Sequence, residues 1–242
     1  MASDCRYRRV LVKISGEALS GTGEHGLKVG PIESMLDELA DAHKTGAQIA
    51  LVVGAGNILR GRDLKDMPAV QRTTADSMGM LATVINALAL GDLLASRGLD
   101  ARVLSAIQMT PHCEPFVRAR AVKHLQAGRI VVLAGGTGSP FFTTDMCAAL
   151  RAAELDCDVL IKATKVDGVF DADPVKNPQA RRYDTLSYQK VLADRLGVMD
   201  LTAISMCMEN GIPVMVFQLD KPGNLAAALN GKPVGTLVTD TE

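Results

Sequence analysis

The chain has 242 residues, 48% hydrophobic and 22% charged, a size that supports one large core or two small lobes. Its 26 basic and 27 acidic residues leave a formal charge of −1, without the basic excess by which proteins hold nucleic-acid polymers or anionic membranes. With no Trp, three Tyr and five Phe, aromatic platforms for stacking single strands are scarce as well.

Short β-branched runs alternate with helical stretches. RVLVKIS (9–15) predicts a strand. Residues 31–46 predict a helix, with Pro31 in its first turn and Gly46 just past its end. A strand at 47–53, a long helical region over roughly 69–97 and a strand at 101–106 follow. Then come a helix near 114–127, a strand at 129–134, a helix at 144–156 and a strand at 158–164. Residues 165–188 are polar and broken by Pro174 and Pro178, which predicts loops and a short hairpin at a binding rim. A helix at 201–210, a strand at 213–219, a further helix and a last strand at 236–239 close the chain. This alternation with near-continuous apolar strands predicts a three-layer αβα sandwich around a mainly parallel sheet. One domain is expected over 1–242. The stretch 80–95 is apolar nearly all round a helix, so it is either a core helix or one buried against another subunit.

Cys5, Cys113, Cys147, Cys157 and Cys207 are odd in number and lack a CxxC pair. They read as free thiols in a reducing, cytoplasmic setting. The four histidines lack metal-ligand spacing, and His112 with Cys113 reads as a surface pair. Arg6, Arg8 and Arg9 precede only the short run VLV, which fits no signal peptide, and the apolar window 80–90 is too short to span a bilayer.

Three glycine turns follow predicted strands, where α/β folds bind ligands. They are KISGEAL (13–19), GAGNILRG (54–61) and GGTGSPFFTTD (135–145). Each either cradles phosphate through close backbone approach and helix-start amides or simply ends its strand. No GxxxxGK[ST] occurs, and GAGNILRG lacks the GxGxxG spacing, which argues against P-loop and dinucleotide-binding readings. Lys13 and Lys162 sit at predicted strand ends, where they either flank a transferred phosphoryl group or snorkel to the surface. Asp145 either orients these lysines and holds Mg²⁺ indirectly or is a plain helix-start carboxylate.

On KISGEAL, GAGNILRG, DSMGMLATVINALAL, GTGSPFFTTD, KATKVDGVFDADP and VMDLTA, in that order, the chain resembles the amino acid kinase superfamily and, within it, the bacterial uridylate kinases. The resemblance spans essentially the whole chain. It implies the amino acid kinase fold, with an acceptor-binding lobe at about 1–160 and an ATP-binding lobe at about 161–242. It also implies transfer of the ATP γ-phosphoryl group to UMP, with Mg²⁺, in pyrimidine nucleotide biosynthesis. By position it makes Lys13, Lys162 and Asp145 catalytic. Lys13, Ser15, Gly16, Gly56, Arg60, Thr164, Phe170 and Asp173 fall where the family contacts ATP. Ala55, Asp76, Thr137, Gly138, Ser139, Pro140, Phe141, Phe142, Thr143 and Thr144 fall where it contacts UMP. Gly21, Thr22, Gly23, Glu24, His25 and Gly26 resemble the region associated with activation by GTP. Feedback by UTP and assembly as a homohexamer are further implications. The family often has GGGN where this chain has Gly54, Ala55, Gly56 and Asn57. A methyl is tolerable at 55 on an ordinary backbone and costly at positive φ. Phe141 and Phe142 are also readable as a packed loop base. Two other functions keep the fold: phosphoryl transfer to a carboxylate or carbamate, and a non-catalytic nucleotide-binding storage or regulatory subunit.

Overall fold

The computed structural model describes residues 5–21, 23–59 and 69–240. Thr22 and Arg60, two of the expected site residues, lie outside the described residues. Among those described, nine strands make one sheet: β1 Arg9–Ile14, β2 Gln48–Val53, β3 Ala101–Ser105, β4 Glu114–Pro115, β5 Ile130–Ala134, β6 Val159–Thr164, β7 Thr185–Ser187, β8 Val214–Gln218 and β9 Thr236–Thr239. Their order is β4-β3-β5-β2-β1-β6-β8-β9-β7. All pairings are parallel except that of β8 with β9.

The period-2 alternation of the strands feeds two cores. Val10, Val12 and Ile14 face one layer with Ile161 and Phe217, under helices α1 (Val29–Lys44), α2 (Arg72–Ser96) and α7 (Asn224–Leu229). Leu11, Val52, Leu133 and Leu160 face the other, under α3 (Arg118–Gln126), α4 (Thr144–Glu154), α5 (Tyr188–Ala193) and α6 (Leu201–Glu209). Both faces of the central strands are therefore dry, which is why they read as unbroken apolar runs. The result is the three-layer αβα sandwich expected.

Two stretches depart from the sequence reading. The helix expected near 114–127 splits: Glu114 and Pro115 pair with Leu104 and Ser105 as β4, and α3 begins only at Arg118. Proline fixes φ and disfavours a helical residue before it, so the helix cannot reach back to 114. The rim segment makes an isolated antiparallel bridge, Phe170 to Arg182, and then delivers β7 to β9 in parallel. Its last residue, Tyr188, starts the short helix α5, which the sequence reading did not anticipate.

Helix α2 bears out the core reading of 80–95 on one face and leaves another face exposed. Val84, Ala87, Leu90 and Leu94 are in the core, while Met78, Leu81 and Ile85 are exposed. At 25 residues, within the helical region expected at 69–97, α2 is long and apolar enough to cross a membrane by length and composition, a test that the core helix of a sheet protein also passes. Two buried polar residues tie it to the sheet ends. Asn86 donates to Gly54 O at 2.8 Å and exchanges amide hydrogen bonds with Asn57, and Thr83 Oγ1 accepts from Gly135 N at 2.9 Å.

Candidate functional site

Lys13 and Lys162 are register partners on the adjacent parallel strands β1 and β6. Alternation puts both side chains on the α4 face, next to Leu11 and Leu160 in the pleat. The first turn of α4 brings Asp145 to meet them. Lys162 Nζ donates to Oδ2 at 2.8 Å, and Lys13 Nζ lies 2.8 Å from Oδ1. Side-chain exposures of 10%, 17% and 14% for Lys13, Lys162 and Asp145 mean little water screens the three charges. Burial pushes the Asp145 carboxyl up, but the two ammoniums outweigh it and hold it below the ordinary carboxylate value. The Lys162 ammonium is lowered, first by burial and also by Lys13, against the pull of Asp145.

Two helix starts hold this arrangement. Thr143 caps α4, its Oγ1 accepting from Met146 N at 3.1 Å while donating to Asp200. Asp200 in turn caps α6 through Ala203 N at 2.8 Å. Asp200 escaped the sequence reading, although an aspartate just before a helix is a recognisable cap signal.

The loops after these strands line two cavities. The first, about 410 Å³, is walled by Ser15, Glu17, Ala18, Gly21, Pro31, Ser34, Met35, Ala163, Thr164, Lys165, Leu219 and Asp220. Glu17 and Lys165 form a 2.8 Å ion pair across it. The second, about 480 Å³, is walled by Ala55, Gly56, Leu59, Arg72, Ala75, Asp76, Gly79, Met80, Thr83, Gly136, Phe142, Thr143 and Thr144. The three charged residues line neither cavity themselves, but Ser15, Ala163 and Thr164, close to Lys13 and Lys162 in the chain, line the first, and Thr143 and Thr144, just before Asp145, line the second.

The expected residues distribute unevenly. Ser15 and Thr164 line the first cavity, and Gly16 packs against the turn 55–57. Gly56, expected beside ATP, instead lines the second cavity with Ala55. Phe170 and Asp173 line neither, and Asp173 is engaged in its own turn, accepting from Val175 N at 3.0 Å. Asp76, Phe142, Thr143 and Thr144 line the second cavity. Asp76 accepts from Phe141 N at 2.8 Å and from Arg72 Nε at 3.1 and 3.2 Å. Phe141 and Phe142 are 62% and 50% exposed, so neither is a packed loop base. Thr137 folds back on Ser139, and Gly138 N bonds Gly135 O, shaping the turn that carries Pro140. Of the expected effector segment, Gly21 lines the first cavity, Ser20 Oγ bonds Glu24 O, and Gly26 exchanges hydrogen bonds with Asn57. Gly23 and His25 are exposed at the same rim.

The four thiols Cys5, Cys147, Cys157 and Cys207 are buried. Burial pushes Cys147 up to about 11 and Cys157 and Cys207 up to about 12, leaving them unreactive.

Residues 8–218 match the model of the amino acid kinase family. The UMP kinase of Bacillus anthracis is 36% identical, with a TM-score of 0.94 over 98% of this chain and 97% of that one. The UMP kinase of Ureaplasma parvum is 35% identical, with a TM-score of 0.90 over 97% and 100%. The uridylate kinase of Archaeoglobus fulgidus is 30% identical, with a TM-score of 0.72 over 95% and 99%.

Proposed function

Because the chain belongs to the amino acid kinase family, we propose that it transfers the γ-phosphoryl group of ATP to UMP, giving UDP and ADP. The observation that carries this reading is the Lys13–Asp145–Lys162 triad, whose chain neighbours line two separate cavities. Phosphoryl transfer asks for positioned positive charge on the transferring oxygens and little covalent help. Two ammoniums around one carboxylate leave a net positive centre, and Asp145 keeps both lysines pointed at one place. Acceptor phosphate is already ionised, so no general base is needed.

In this reading the first cavity takes ATP, with Ser15 and Gly16 offering backbone at the phosphates and Thr164 beside the nucleoside. The second takes UMP, with Asp76 accepting from sugar hydroxyls and Thr144 with nearby amides facing base and phosphate. Polar groups that pair with the right base reject a wrong one by being left unpaired. The donor set suits Mg²⁺ that arrives with the nucleotide: among the described residues no group of three His, Cys, Asp or Glu could hold a metal, and Mg²⁺ prefers phosphate oxygens and water. When bound it would neutralise phosphate charge, while Asp145 holds the two lysines.

We also read the chain as one domain with an acceptor lobe at about 1–160 and an ATP lobe at about 161–242. Ser15, Ser34 and Met35 of the first lobe and Thr164, Leu219 and Asp220 of the second share the donor cavity, so ATP sits at the seam. Cytoplasmic location, GTP activation through residues 21–26, UTP inhibition and a homohexamer complete the reading. The exposed Met78, Leu81 and Ile85 of α2 are a face that assembly would cover. A coupled assay offering UMP, CMP, a carboxylate and carbamate, with and without GTP and UTP, tests it. ADP release with UMP alone is expected; ADP release only with a carboxylate or carbamate, or none at all, overturns it.

A further inference from the structure

Glu38 is a buried carboxylate, 4% exposed, on a helix whose inward face is otherwise apolar. Such burial is costly unless donors meet its oxygens. Both oxygens are met by backbone amides far along the chain: Gly223 N–H donates to Oε1 at 2.5 Å and Leu225 N–H to Oε2 at 3.1 Å. These amides belong to the start of α7, whose cap residue Gly223 has φ of 82° and no side chain to cap with. Carboxylates accepting from backbone amides make strong, directional bonds.

The placement of this contact gives it a role beyond capping. One turn before Glu38 on α1, Ser34 and Met35 line the first cavity, and Leu219 and Asp220, just ahead of Gly223, line it from the other side. Asn224 Nδ2 donates to Gln218 O at 3.0 Å, pinning the base of the same loop to the end of β8. Glu38 therefore joins two cavity walls that lie 185 residues apart in sequence.

We propose that Glu38 is a positioning residue for the phosphoryl donor, fixing the loop 219–223 against α1 so that the cavity has its shape before the nucleotide arrives. This rests on the assignment of ATP to the first cavity. Glu38→Gln keeps length and one acceptor oxygen but sets an amide donor against a backbone N–H.

The test uses the full chain at 25 °C, with calorimetric titration of Mg·ATP in the absence of acceptor, followed by steady-state kinetics. Glu38→Gln is expected to raise the Kd for Mg·ATP about tenfold, the effect of one unsatisfied buried donor. KM for UMP and kcat at saturating ATP are expected to stay within about twofold. Gly223→Ala perturbs the same loop while keeping the Glu38 carboxylate and the residue-223 N–H: an added Cβ meets nothing within 4 Å, but φ of 82° strains it. It is also expected to weaken ATP, and the double variant should lose less than the product of the two. If Glu38→Gln does not fold, Gly223→Ala decides. A lowered Tm with unchanged Kd for ATP overturns the proposal, as does an equal rise in KM for UMP. Binding of ATP without turnover of UMP would refute the acceptor assignment while the Kd ratio still decides the role of Glu38. No ATP binding by the unaltered chain overturns both.

Discussion

Asp145→Asn removes the counter-charge of two buried ammoniums with almost no change of shape. In the native site each ammonium lies 2.8 Å from one carboxylate oxygen, and the lysines stem from paired positions on neighbouring strands, whose backbones run about 4.8 Å apart. An asparagine offers one oxygen and turns its amide hydrogens toward the other ammonium. Removing one partner of a buried pair costs about 3–5 kcal/mol. The two lysine side chains keep 10% and 17% exposure, so some solvent reaches them and the low end, about 3 kcal/mol, is the appropriate magnitude. For a chain of this length that is about 6–12 °C in Tm.

The same substitution sharpens the site's appetite for anions, because two like charges without a carboxylate between them bind phosphate more tightly. The assay is thermal unfolding by circular dichroism in chloride and in phosphate at matched ionic strength. The variant's deficit is expected to be large in chloride and to shrink in phosphate. A Tm within about 1 °C of the unaltered chain, or a deficit equal in both salts, would show that Asp145 does not neutralise the lysines.

Asp76→Ala is expected to raise KM for UMP about tenfold with KM for ATP nearly unchanged; equal losses for both substrates count against an acceptor role. Asn86→Ala takes from Gly54 O and Asn57 Oδ1 the donor that Asn86 supplies and is expected to cost about 2–3 kcal/mol in urea unfolding; a loss under about 0.5 kcal/mol removes the amide pair from the list of ties. The pH dependence follows from the triad. Asp145 has a lowered carboxyl, so its contribution is present above the ordinary carboxylate value and is lost as pH falls through the lowered one. Lys162 has a lowered ammonium, so the unfolded chain binds the extra proton and stability rises as pH climbs toward 10.5. In Asp145→Asn the acid limb should vanish and the alkaline limb should move to lower pH. Unchanged limbs would contradict the ion-pair geometry.

How much of this could be read beforehand depends on the range of the interaction. Runs such as IVVLA and VLIKAT declare strands because burial on both faces leaves no polar alternation to disguise them. A two-residue strand like β4 and a six-residue helix like α5 are shorter than any periodic window, and their partners are set by tertiary contact. The two lysines and Asp145 were each visible as residues. Their meeting was not, because it requires β1 to pair with β6 in one register and α4 to start at one place. Glu38 offers no signal at all: in a helix reading DELADAHK it looks like one more solvated carboxylate, and only the far end of the chain reveals its burial.

The glycine turns show how physical causes that look alike in sequence separate in three dimensions. At Gly16 the cause is space: φ is ordinary, but a Cβ would lie 2.5 Å from Gly56 N and from Asn57 Oδ1, so the first and second turns interlock as one body. At Gly135 and Gly136 the cause includes the backbone, with φ of 74° and 58°. Residue 55 meets neither demand. Ala55 has no positive φ and faces the second cavity, so its methyl neither strains the turn nor disturbs the contact with Gly16. The alanine in GAGN is thus compatible with the same interlocked cradle. An Ala55→Gly change is expected to leave Tm nearly unchanged or slightly lower, through the freer unfolded chain, whereas Gly16→Ala should drive the two turns apart and lower both stability and turnover. If differential scanning calorimetry found the two substitutions equally mild, space at Gly16 would not be what dictates its glycine.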